Sequence, residues 1–157
     1  MKNGEKNVYR VEKDSIGTKD VPEDVYYGVQ SLRAAENFHI TGLSMHPEFI
    51  NSLACIKKAA AITNCEAGLL DKKIASAIVK ACDEIVAGGL HDDFIVDPIQ
   101  GGAGTSMNMN ANEVIANRAL DILGGTRGDY TLVHPNDHVN YGQSTTDVIP
   151  TAAKMTS

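Results

Sequence analysis

The chain has 157 residues, with 14 Lys+Arg against 20 Asp+Glu and 43% apolar composition, which suffices for one compact core. A net charge of −6 with interleaved signs, no Trp and only 5% aromatics exclude both the basic surface that nucleic acid or anionic membrane needs and the stacking platforms of single-strand binders. No run approaches the ~18–20 apolar residues of a membrane span, and the polar opening is unlike a secretory leader, so the expected address is cytoplasmic.

The opening stretch is charged up to Tyr27, with a turn expected at Val21-Pro22-Glu23-Asp24, so a short hairpin or irregular arm is predicted. Over 25–37, Tyr26, Val29, Leu32 and Ala35 recur at three-residue steps and predict a helix carrying Arg33. A second helix starts at Pro47, follows Phe49, Ile50, Leu53, Ala54, Ile56, Ala60 and Ala61, and stops near Gly68. Asp71 is the expected N-cap of a third, with Ile74, Ile78, Cys82, Ile85 and Val86 on one face and Gly88-Gly89 as its stop. These two should pair as an antiparallel hairpin.

Residues 91–100 read as a loop containing a short apolar connector, Phe94-Ile95-Val96. A glycine-rich lead-in, Gly101-Gly102-Ala103-Gly104, opens a fourth helix that stops at Gly124-Gly125, and 128–143 reads as a polar loop. At Ser144-Thr145-Thr146-Asp147 another helix begins, and the sequence reaches Ser157 a turn or two later. An apolar face left without a partner there predicts a piece of a longer protein. Cys55, Cys65 and Cys82 are an odd set without CxxC spacing and read as reduced core thiols.

Two places share one design. In Gly102-Ala103-Gly104-Thr105-Ser106 and Gly142-Gln143-Ser144-Thr145-Thr146, a glycine-bearing turn leads through hydroxyl residues into a helix. Unpaired N–H groups and the positive dipole end favour an anion there, and hydroxyls donate in directions a carboxylate accepts. The plainer alternative is that Thr105 and Ser144 only cap their helices. A phosphate loop is excluded because no lysine follows the glycines, and a dinucleotide fingerprint because Met107 stands where its third glycine would be.

His134-Pro135-Asn136-Asp137-His138 invites a metal, but Pro135 opposes a continuous helix through both histidines and no third ligand group is near, so no metal is assigned. Asn108, Asn110, Asn112 and Glu113 burden the fourth helix with polar groups. Buried hydrogen-bond networks or a ligand are the alternatives, and Glu113 also reads as a capping carboxylate.

Five blocks, Arg10 to Gly17, Val21 to Gln30, Arg33 to Phe38, Gly101 to Glu113 and His134 to Thr145, resemble the aspartase/fumarase superfamily in order and spacing. Within it the chain is more similar to the aspartate ammonia-lyases than to class II fumarases. Ala103 stands where fumarases usually carry serine, Tyr27 where they carry Trp, and Ser106-Met107 follows Thr105 in the aspartase manner.

The resemblance implies a mainly α fold: an amino-terminal helical domain with a small β-hairpin over 1–142, then at 143–157 the start of the first long helix of a central bundle. It implies anti elimination of ammonia from L-aspartate to give fumarate through an aci-carboxylate, without a cofactor, in a homotetramer of identical subunits. Thr105, Ser144 and Thr145 would hold the substrate β-carboxylate. Thr146 occupies a substrate-binding position where the family has asparagine, and His134, Asn136 and Asp137 match an accessory carboxylate site. The family's serine base and its Thr-His pair match nothing here, so no catalytic residue is assigned and the chain alone is expected to be inactive. The alternatives are class II fumarate hydratase and a non-catalytic folding or interaction fragment.

Overall fold

The computed structural model describes residues 8–99 and 102–157. Gln100 and Gly101, the expected end of one loop and start of the glycine-rich lead-in, lie outside the described residues. Strands β1 (Tyr9–Lys13) and β2 (Thr18–Pro22) pair antiparallel, Tyr9 opposite Pro22 and Lys13 opposite Thr18. The chain reverses between them at Asp14, whose Oδ1 accepts from the N–H groups of Ile16 and Gly17, earlier than the turn expected from Pro22. Pro22 instead ends an edge strand, a place where the missing N–H costs little, and Glu23-Asp24 turn after it.

Helix α1 (Val29–Asn37) begins at Val29 rather than Val25. The lead-in is held extended by tertiary bonds: Tyr26 N–H donates to Asp93 (2.7 Å), and Arg10 donates to the carbonyls of Pro22 (2.8 Å), Val25 (2.9 Å) and Tyr27 (2.8 Å). The helix start has no cap of its own. Glu113, from the later helix α4 (Thr105–Ile122), accepts instead from the N–H groups of Gly28 (2.9 Å), Gln30 (2.9 Å) and Ser31 (3.0 Å) and from the Ser31 hydroxyl. A Cβ on Gly28 would lie 2.7 Å from the Glu113 carboxyl carbon and 2.6 Å from the Tyr130 hydroxyl, so only glycine permits this approach.

Helices α2 (Pro47–Glu66) and α3 (Lys72–Val86) form the expected hairpin, with Asp71 capping Lys73 and Ile74. α3 packs on α4, and α2 on α5 (Thr145–Thr156). Leu53, Ile78, Ile85, Ile115 and Leu120 are fully buried where these helices meet, each contributing about 1.5–3 kcal/mol. Val148 and Ala152 bury the inner side of α5, while Met155 is exposed.

The 91–100 loop includes a 3-10 turn, His91–Asp93, and its connector buries Phe94 and Val96. The stretch expected as polar loop holds a single π turn, Pro135–Val139, because Val133, Pro135 and Val139 are buried. Of the three free cysteines only Cys82 is buried, whereas Cys55 and Cys65 are half-buried, which corrects their reading as core thiols. Among the described residues no helix is long and apolar enough to cross a membrane.

The polar residues of α4 serve mainly as staples for neighbouring loops. Asn110 accepts from Val96 N–H (3.2 Å) and donates to the Asp93 carbonyl (2.9 Å). Asn117 donates to the Tyr26 carbonyl (2.8 Å) and accepts from Gly128 N–H (2.8 Å). These bonds offset the low helix propensity of asparagine.

Candidate functional site

Gly102, Ala103 and Gly104 have φ of +81°, +53° and +85°. For Ala103 this left-handed backbone costs about 1–2 kcal/mol, strain that persists only where the surroundings impose it. Gly104 is the N-cap of α4, and a Cβ there would meet the Ile149 side chain on α5 at 2.8 Å. The glycine thus lets the two helix starts approach each other.

Thr105 occupies the first turn of α4, and its hydroxyl donates back to the Gly102 carbonyl (2.6 Å) instead of capping N–H groups. Ser144 is the N-cap of α5, yet its hydroxyl donates to Asp147 Oδ2 (2.7 Å) and lies 2.9 Å from the Thr146 hydroxyl. No side chain caps either helix, contrary to the plainer reading of both residues. Thr145 Oγ1 accepts from Asn108 Nδ2 of α4 (3.4 Å), a second link between the two starts. Thr105, Ser144 and Thr146 are exposed, and Thr145 is half-buried.

Beneath the second start lies a group missed by sequence reasoning. Lys57 of α2 is fully buried, and its Nζ donates to Asn140 Oδ1 (2.8 Å) and Gln143 Oε1 (3.0 Å). Asn108 Nδ2 donates to the same Asn140 oxygen (3.2 Å). Desolvation brings the ammonium down to about 7, against a small opposing influence of Cys82, whose own thiol burial pushes up to about 12. The available signal was spacing: Leu53, Lys57 and Ala61 fall four apart on the buried stripe of α2.

His134, Asn136 and Asp137 occupy the π turn. His134 Nδ1 accepts from the N–H groups of Asn136 (3.0 Å) and Asp137 (3.2 Å), and His134 N–H donates to His138 Nδ1 (2.7 Å). Burial holds His138 below its ordinary value. The histidines therefore shape the turn, with the Asn136 and Asp137 side chains exposed beside it. Among the described residues no three His, Cys, Asp or Glu gather as metal ligands would. A cleft of about 690 Å³ lies elsewhere, between His39, Met45, His46, His91 and Phe94, and its lining does not include Thr105, Ser144, Thr145 or Thr146.

A protein-family model described as "Lyase" matches residues 17–157. The chain is 60% identical over 157 residues to an aspartate ammonia-lyase of Bacillus subtilis (strain 168), covering 100% of this chain and 33% of that protein. It is 56% identical over 149 residues to a class II fumarate hydratase of Halobacterium salinarum, covering 95% and 32%. A crystal structure of fumarate lyase:delta crystallin from Brucella melitensis superposes with a TM-score of 0.92 at 52% identity, over 95% of this chain and 35% of that one. The chain spans about a third of the length of the curated relatives it matches.

Proposed function

The chain belongs to this lyase family, and from that membership we propose that it forms the amino-terminal part of an enzyme eliminating ammonia from L-aspartate to give fumarate. Residues 1–142 are its amino-terminal domain and 143–157 begin the central bundle of a cytoplasmic homotetramer. The observation that carries the proposal is the adjoining pair of helix starts, where Thr105, Ser144 and Thr145 bring hydroxyls to N–H ends that no side chain caps. The high identity to an aspartate ammonia-lyase supports the choice of substrate.

The chemical obstacle is a weakly acidic Cβ proton beside a carboxylate. Its removal leaves an aci-carboxylate bearing two negative charges on one group, whose collapse forms the double bond and expels ammonia on the opposite face. Thr105, Ser144 and Thr145 hold the β-carboxylate, and their hydroxyls, with the helix N-terminal dipoles, strengthen their bonds as that charge grows. Ser144 turns from Asp147 toward substrate, and Thr146, beside it, stands at the substrate-orienting position. His134, Asn136 and Asp137 form an accessory carboxylate site, and no catalytic base is assigned within residues 1–157.

Fumarate hydration is the second reading, supported by the Halobacterium relative, while Ala103 and Tyr27 favour the ammonia-lyase. The full-length gene product is expected to generate fumarate absorbance from L-aspartate. Turnover of L-malate without turnover of L-aspartate refutes the proposal in favour of the hydratase.

A further inference from the structure

Lys57 is 0% exposed and, among the described residues, joins no ion pair. Burying an uncompensated cation is costly, and packing alone would favour an apolar residue, as at Leu53, Ala54 and Ala61 on the same stripe. The hydrogen bonds supply another reason for lysine. An amine with its N–H donors turned toward two amides obliges both to present oxygen.

With its oxygen held by Lys57, Asn140 directs Nδ2 to the Gln143 carbonyl (3.2 Å), and Gln143 directs Nε2 to the carbonyls of Val139 (3.0 Å) and Tyr141 (3.3 Å). One buried nitrogen thereby sets the conformation of the turn that delivers Ser144 and Thr145. Through the shared Asn140 oxygen it also orients Asn108, whose amide reaches Thr145.

We propose that Lys57 is a positioning residue of the dicarboxylate site, holding the 139–143 turn so that Ser144 and Thr145 meet the substrate and lending its charge to the anion bound above that turn. The inference rests on the reading of the site as the β-carboxylate cradle. The groups facing Lys57 leave its charge unanswered. α3 presents Cys82, a thiol that stays protonated, and pairs its Asp83 with Lys58 instead (2.6 Å). On α2 the neighbouring titratable groups are Cys55 and Lys58, on α4 and the turn the partners are amides, and on α5 Asp147 and Lys154 are exposed. Lys57 accordingly changes charge near pH 7, keeping N–H donors when neutral but losing its attraction for a carboxylate.

The test is the kinetics of the full-length gene product on L-aspartate across the neutral range, comparing wild type with K57M and Q143L. The wild-type KM is expected to rise as pH increases through about 7. K57M should raise KM at least about tenfold, the loss expected from roughly one charge-assisted contact, and remove that pH dependence, while Q143L raises KM and preserves it. A folded K57M with wild-type KM and pH profile overturns the proposal. If K57M does not fold, a soluble Q143L with unchanged KM overturns it equally. A wild-type enzyme acting on L-malate alone overturns the substrate reading, and the same variants on L-malate then decide the role of Lys57. A wild-type protein inert toward both overturns both.

Discussion

Replacing Glu113 by Ala removes the remote cap of α1. Glu113 is 1% exposed and satisfies three backbone N–H groups and the Ser31 hydroxyl, of which those of Gly28 and Ser31 are buried. Gln30 is exposed and recovers its bond from solvent. The remaining orphans, Gly28 and Ser31 N–H and the Ser31 hydroxyl, each cost about 1–3 kcal/mol, so the loss is expected to be about 3–9 kcal/mol. That is a large part of the ~5–15 kcal/mol available to a domain. Urea unfolding of the 157-residue chain, followed by far-ultraviolet circular dichroism and extrapolated linearly, measures it. Glu113→Gln, which retains one acceptor oxygen, should fall between the two. A loss below about 1 kcal/mol for the Ala variant refutes the capping argument.

Asp97 carries an acid-side prediction. Burial alone raises a carboxyl, but the N–H groups of Thr41, Ile99 and Gly42 and the Thr41 hydroxyl hold Asp97 down to about 2. Because the folded value lies below the unfolded one, the stabilisation is full above about 4 and is lost as pH falls toward about 2. Acid titration of the folded chain should show this loss reduced in Asp97→Asn, and an unaltered titration contradicts it. Thr146→Asn in the full-length product adds an amide donor at the substrate-orienting position and is expected to raise kcat/KM for L-aspartate about tenfold or more. A decrease in kcat/KM instead assigns Thr146 a positive role in this enzyme.

Local signals made much of the fold legible. Pro47 at the first turn of α2, Asp71 as the cap of α3 and Gly88-Gly89 as its stop each act within a few residues of the helix end they define. The start of α1 was not legible, because its cap, Glu113, comes from over eighty residues later and only packing brings it to Gly28. The same distance hides Lys57: beside Lys58 in sequence it reads as surface charge, and its partners Asn140 and Gln143 arrive with the last turn. The hydroxyl motifs themselves were visible, yet their separation from ordinary capping required the structure, where Thr105 bonds Gly102 and Ser144 bonds Asp147. His134 and His138 illustrate the converse, since spacing suggests ligands but the short π turn uses their ring nitrogens to receive backbone N–H groups.

The most direct measurement of the central claim is a double-mutant cycle on the full-length gene product, combining Thr105→Val and Ser144→Ala and following kcat/KM for L-aspartate. Each single change is expected to lower it about a hundredfold, as the loss of one donor to a developing oxyanion does. If both hydroxyls hold the same carboxylate, the double variant should depart from additivity by at least about 1 kcal/mol, with thermal stability preserved. Wild-type kinetics in either single variant, or strictly additive losses, contradict a shared carboxylate cradle.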